Sequence, residues 1–104
     1  MKTTIIEKDE RIIAVLEGEL DTAAAQEVEN ALQPLFATDE RDIQFNCAQL
    51  DYIASSGLRI LLSILKYAKA NGRKVILKDV NDEIKNVFKL TGFISLFDFE
   101  ESDD

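Results

Sequence analysis

Asp51-Tyr52-Ile53-Ala54-Ser55-Ser56-Gly57-Leu58-Arg59 is the stretch on which the reading of this chain turns. A strand-like run, Ile43 to Cys47, precedes it, and the most strongly helical segment of the sequence follows it. Two adjacent serines therefore stand at a junction into a helix. One of them is a natural N-cap, because a serine oxygen can accept a bond from a free backbone N–H of the first turn. The other has no such duty and is expected in a loop beside the positive end of the helix dipole, where a phosphate is favoured. A cap needs one hydroxyl and the chain supplies two, so the spare serine is the functional candidate.

The helix opened by this stretch should run from about residue 57 to 71, with Gly72 as its stop. Leu58, Leu61, Leu62, Leu65 and Ala68 form its core stripe, and Ile60, Ile64 and Tyr67 widen that stripe beyond half the circumference. Arg59, Ser63 and Lys66 lie opposite. So wide an apolar arc means either a helix wedged between neighbours or an edge kept for a partner.

Working toward the start, residues 3–8 and 11–18 read as two strands around a turn at Asp9-Glu10. The unbroken run Ile12 to Leu16 predicts a strand buried on both faces. Gly18-Glu19-Leu20-Asp21 leads into a helix from about Thr22, with Ala24, Val28, Leu32 and Leu35 at helical spacing and Asp21 or Thr22 as its cap. Pro34 should kink or end it. Thr38-Asp39-Glu40 reads as a loop before a strand over 42–47, in which Ile43, Phe45 and Cys47 share one face.

Toward the end, residues 74–78 predict a strand. Asn81 caps a helix over 82–90 with Ile84, Val87 and Phe88 inward, and Gly92 ends that helix. Phe93 to Phe99 should return along the sheet, packing Phe93, Leu96 and Phe97. The order β-β-α-β-α-β-α-β gives a single α/β domain: an antiparallel hairpin feeding parallel crossovers, in a mixed sheet of four or five strands with three or more helices.

Composition excludes much chemistry. At 104 residues the chain is one domain with one core. No run is long and apolar enough for a membrane span, and no leader pattern opens the chain. The single Cys47 cannot form an internal disulfide, fits a reducing cytoplasm and reads as a small core hydrophobe. Net charge is −8, but the last seven residues hold five acids and no base, leaving −3 for residues 1–97. The acidic end, 98–104, is expected to close the last strand and continue as a solvated, frayed tail beyond a domain spanning 1–97. Nucleic acid is disfavoured because no basic stripe is present to displace counterions from phosphates. There is no histidine, which removes Ser-His-Asp and Cys-His nucleophiles, histidine metal sites and phosphohistidine relays.

Ala54-Ser55-Ser56-Gly57-Leu58 is not a Gly-x-Ser-x-Gly elbow, and no base partners either serine. The four glycines, at 18, 57, 72 and 92, stand apart and make no phosphate cradle. Asp21 is by default a helix cap or a solvated acid. What survives is a serine that receives chemistry: phosphorylation adds about −1.5 to −2 charge and would disturb a partner docked beside it.

Gly18-Glu19-Leu20-Asp21, then Leu50 to Arg59, then Leu90-Thr91-Gly92-Phe93 resemble, in order and spacing, the signatures of the STAS domain, specifically the bacterial anti-sigma factor antagonists. The resemblance covers essentially the whole chain. It implies partner switching, in which the unphosphorylated antagonist binds an anti-sigma factor that is also a serine kinase. Phosphorylation breaks the complex and a metal-dependent serine phosphatase restores it. It places the phosphorylated serine at Ser55, with Asp21 nearby and Asp21, Ala54, Ser56, Gly57, Arg59, Ile60 and Ser63 as partner-binding residues. It implies a cytoplasmic monomer or weak dimer with no catalytic residue, cofactor or metal. Ala54 stands where many members carry an acid, and the final helix common in relatives is expected to be missing or reduced to the acidic tail. Two other readings stay open: a STAS-like accessory protein that binds a small molecule, lipid or transport protein, and a small enzyme using Asp21 and Ser55.

Overall fold

Three times the chain leaves a strand, forms a helix and returns parallel to the strand it left, each time one place further across the same sheet. The computed structural model describes residues 1–36 and 40–102. Its elements are β1 (Lys2–Glu7), β2 (Arg11–Leu20), α1 (Thr22–Ala31), a 3-10 turn (Gln33–Phe36), β3 (Asp42–Ile53), α2 (Ser55–Ala70), β4 (Val75–Lys78), α3 (Asp82–Thr91) and β5 (Asp98–Glu100). The sheet runs β1-β2-β3-β4-β5, with β1 antiparallel to β2 and every later pair parallel. The mixed five-stranded α/β sheet with three helices is the architecture expected from the element order.

Because successive strands are neighbours and crossovers are right-handed, all three helices fall on one face. Alternation then sorts the strands. Ile12, Ala14 and Leu16 of β2, Ile43, Phe45 and Cys47 of β3, and Val75 and Leu77 of β4 join Val28, Leu61, Ile64, Ala68, Ile84 and Phe88 in a single core. Ile13 and Val15 point to the other face and are only half-buried. The apolar run Ile12 to Leu16 is thus buried on one face, not two, because the sheet has no second helical layer. Polar side chains close part of that open face instead. Arg11 Nη1 donates to Gln44 Oε1 at 2.8 Å, and the same guanidinium grips both Glu100 oxygens at 3.2 and 3.1 Å. The Glu100 hydrogen bonds lead the effects that raise the Arg11 pKa.

The acidic end closes the last strand at Asp98–Glu100, and the residues after it are tied down through Ser102 instead of fraying. Glu100 holds Arg11, Glu101 reaches Lys85 at 3.8 Å, and Asp79 accepts from the Ser102 amide at 2.7 Å and its hydroxyl at 2.6 Å. Those Ser102 bonds hold the Asp79 carboxyl below its ordinary range. Asp103 and Asp104 lie outside the described residues, as do Thr38 and Asp39 of the expected loop.

Other boundaries differ from the sequence expectation for local reasons. β3 continues to Ile53, so the segment read as a loop before the serines is strand, paired with β2 up to Leu20↔Ile53. α1 stops at Ala31, and Pro34 sits in the 3-10 turn that follows. The return after α3 forms strand only over Asp98–Glu100; Phe97 is buried but Leu96 remains 39 % exposed. The α2 arc is a wedge: Ile64 is 1 % exposed, and Tyr67 donates to the Phe36 carbonyl at 2.7 Å while stacking edge-on against the Phe36 ring. Asn81 caps α3 as expected, accepting from Ile84 N at 2.8 Å, and Gly92 ends it with φ +80.

Cys47 lies 2 % exposed beneath this layer, and burial pushes its thiol up to about 12. At pH 8 the native thiol should resist iodoacetamide and react only through global unfolding. Labelling that runs at the rate of a free thiol in native buffer would contradict this placement.

Candidate functional site

Parallel pairing of β2 and β3 brings two distant stretches of sequence to one edge. The last ladder pair is Leu20↔Ile53, and the Ala54 amide donates to the Leu20 carbonyl at 2.8 Å. One residue later both strands turn into helices, so Asp21 and Ser55 open α1 and α2 side by side. This is the carboxyl edge of parallel strands, where open α/β sheets carry their sites.

The two helix starts are built differently. Asp21 caps α1, its Oδ1 accepting from Ala24 N at 2.9 Å. α2 has Ala54 at its N-cap, no side-chain cap and no acid in its first turn. Neither serine is the cap: both belong to the first turn, Ser55 as its first residue and Ser56 as its second. The expectation of one capping serine and one loop serine is corrected here, because β3 runs on to Ile53 and leaves only Ala54 between strand and helix. The first intrahelical bond runs from Leu58 N to Ala54 O at 2.9 Å. The amides of the first turn therefore point outward uncapped, at the positive end of the helix dipole.

The structure separates the serines. Ser55 is exposed, with no side-chain partner among the described residues. Ser56 is half-buried, and its hydroxyl donates to Thr22 Oγ1 at 3.3 Å, linking α2 to α1. Gly57 is the point of closest approach. A Cβ placed there would lie 2.5 Å from Leu20 Cγ and 3.0 Å from the Leu20 carbonyl oxygen. Gly57 thus seats α2 on the end of β2 and is itself buried. Ile60 is likewise buried, at 9 % exposure, while Ala54 is half-buried. Arg59 and Ser63 are exposed, the Ser63 hydroxyl donating to Arg59 O at 3.1 Å.

Beyond Ser55 a groove of about 280 Å³ runs between α1 and α2, with Ser56, Arg59, Ile60 and Ser63 on one wall and Thr22, Ala25, Gln26 and Glu29 on the other. Sequence reasoning found the α2 wall and missed the α1 wall. The signal was available: 22, 25, 26 and 29 recur at i, i+3, i+4, i+7 from the cap onward. Tyr52, at the end of β3, is 50 % exposed. Among the described residues no three His, Cys, Asp or Glu side chains gather as a metal site. Asp21, the acid an enzymatic use of Ser55 would need, is engaged as a cap. Among the described residues no side chain bonds the Ser55 hydroxyl, and the arrangement can present that hydroxyl and accommodate a charge placed on it.

The STAS domain family model matches residues 3–104. The chain is similar to a Bordetella bronchiseptica protein described as an anti-sigma factor antagonist, BtrV. They are 32% identical over 97 residues, covering 93% of this chain and 84% of that protein. It is also 32% identical over 84 residues to an anti-sigma-B factor antagonist of Staphylococcus aureus, covering 81% of this chain and 78% of the other. Among solved structures, an anti-sigma factor antagonist of Thermotoga maritima superposes with a TM-score of 0.87 at 18% identity, over 97% of this chain and 87% of that one. SpoIIAA matches in its unphosphorylated form at 0.75 and 18% identity, over 99% of this chain and 90% of that one. Its phosphorylated form, from Bacillus, matches at 0.76 and 19% identity, over 99% and 93%.

The Leu20–Gly57 approach has a direct test. Gly57→Ala forces a methyl onto Leu20 and should destabilise by about 1–3 kcal/mol, the usual cost of overpacking. The effect should be non-additive with Leu20→Ala, which opens the space. Urea denaturation of the two single variants and the double variant measures the coupling; full additivity would show that the contact does not hold α2.

Proposed function

Since the chain belongs to the STAS domain family, we propose that it is an anti-sigma factor antagonist switched off by phosphorylation of Ser55. In this reading it is a regulatory binding protein of the cytoplasm, not an enzyme. Unphosphorylated, it binds an anti-sigma factor that is also its serine kinase, and so releases a sigma factor. A serine phosphatase resets it. The observation that carries the choice of residue is the contrast between the serines: Ser55 exposed on an uncapped first turn, Ser56 half-buried and bonded to Thr22.

The physics of the switch follows from that position. A phosphate on the first helical residue meets outward-pointing amides and the positive dipole end, so the free protein tolerates it. A partner resting on the α1–α2 groove would have to desolvate the same charge, which costs binding. The loss falls on the complex and not on the fold. Asp21, Ala54, Ser56, Arg59 and Ser63 frame the surface, with Ile60 as its floor and Gly57 as the seat beneath it. Thr22, Ala25, Gln26 and Glu29 add the second wall. Ala54, in place of the acid many members carry before the serine, sets the local charge a kinase must recognise.

Ser55→Ala should bind the anti-sigma factor as the native chain does, resist phosphorylation and leave stability within about 0.5 kcal/mol. Ser55→Asp should weaken binding about tenfold or more with the melting temperature preserved. Ser56→Ala loses one hydroxyl pair and no cap, so it should cost no more than about 1 kcal/mol and leave Ser55 a substrate. Phosphopeptide mapping after incubation with the kinase and ATP decides the residue. Phosphate on Ser56, or on neither serine, defeats the assignment.

A further inference from the structure

The helical layer has a gap. α1 packs along one side of α2, but α2 makes no comparable contact with α3 on its other side. The turn after Gly92 runs there instead, and between it and α2 lies an open groove of about 380 Å³. Its apolar surface is Leu62, Leu65 and Leu96, and its polar wall is Arg59, Lys66 and Lys69. Leu96, 39 % exposed, faces the part-buried Leu62 of α2 across this groove.

Charge identifies the occupant. No acid lines the groove, and none of its three cations is ion-paired among the described residues, in a chain of net charge −8. Residues 59, 66 and 69 stand on one side of α2 across about 15 Å, three helical turns. The chain's own acidic end is committed elsewhere, Glu100 to Arg11 and Glu101 to Lys85. The groove is open along its length, which suits an element laid in from the side more than a small molecule that needs enclosure. A helix set beside α2 would place leucine-type side chains on Leu62, Leu65 and Leu96, its acids meeting the cations. We propose that this groove is a docking site for an acidic amphipathic helix of a partner protein. It lies on the far side of α2 from the α1–α2 groove, shares only the Arg59–Ser63 ridge with it, and does not depend on Ser55.

The test is a methyl and amide NMR titration of the full chain with three probes. The first is a synthetic peptide of about 16 residues, with leucines at helical spacing flanked by glutamates, long enough to hold a helix over the groove. The second is the same peptide with lysines for glutamates, and the third is dodecanoate. The acidic peptide should give saturable shifts at Leu62, Leu65, Leu96, Lys66 and Lys69, and bind at least about tenfold tighter than its lysine twin. Those shifts should vanish in the Lys66→Glu/Lys69→Glu variant, whose exposed positions leave the fold unchanged by circular dichroism. Absence of saturable shifts with the acidic peptide, or equal binding of both peptides, overturns the proposal. Saturation by dodecanoate alone would make the groove a lipid site. Concentration-dependent shifts of the groove without any probe would make it a contact between copies of this chain; either result overturns the proposal as well.

Discussion

The contact of Gly57 with Leu20 governs the working end of this molecule. Leu20 is fully buried, its carbonyl receives the Ala54 amide, and its side chain fills the space where a Cβ on Gly57 would stand. Two contacts of different kinds, a ladder-like hydrogen bond and a close apolar approach, therefore lock the start of α2 to the end of β2. With α2 held there, only Ala54 separates strand from helix. Ser55 must enter the first turn and face solvent, while Ser56 must turn toward Thr22.

From the same seat follows the division of labour around α2. One flank meets α1 and is lined by short polar residues near the uncapped end. The other is left open above the turn that follows α3 and carries a basic stripe over leucines. The helix itself is immobilised from below by Leu61, Ile64, Leu65 and Ala68 and at its far end by the Tyr67 hydroxyl on the Phe36 carbonyl. A rigid helix with two differently charged flanks is a platform for binding, since exposed groups can change partners without disturbing the packing beneath.

One-sided winding explains the rest of the architecture. All helices share one face, so the opposite face must close itself with side chains. Arg11 spans β2, β3 and β5 there through Gln44 and Glu100, while on the α3 side Lys85 packs 5.6 Å from the Phe99 ring centre and reaches Glu101. The three-residue edge strand β5 is held by its ladder to β4, by Phe97 and Phe99 packed edge-on against Phe88, and by these charged contacts. The acidity that read as a solvated tail is thereby partly structural.

Sequence alone determined the elements and their order, because apolar periodicity, Asn81 and the Asp21-Thr22 pair as caps and Gly72 and Gly92 as stops act over a few residues. The run of three signature stretches likewise identified the family. Tertiary structure decided the rest. That Ile13 and Val15 lie on an open face depends on which side the crossovers wind. That β3 runs on to Ile53, removing the loop and denying either serine the cap, depends on pairing with β2. That Leu96 is exposed and Ile60 buried depends on which helix lies alongside, and Glu100 is an anchor only because Arg11, 89 residues earlier, crosses two strands to meet it. Local chemistry can be read along the chain, but burial and partnership belong to pairs of residues far apart in it, and only the folded sheet brings those pairs together.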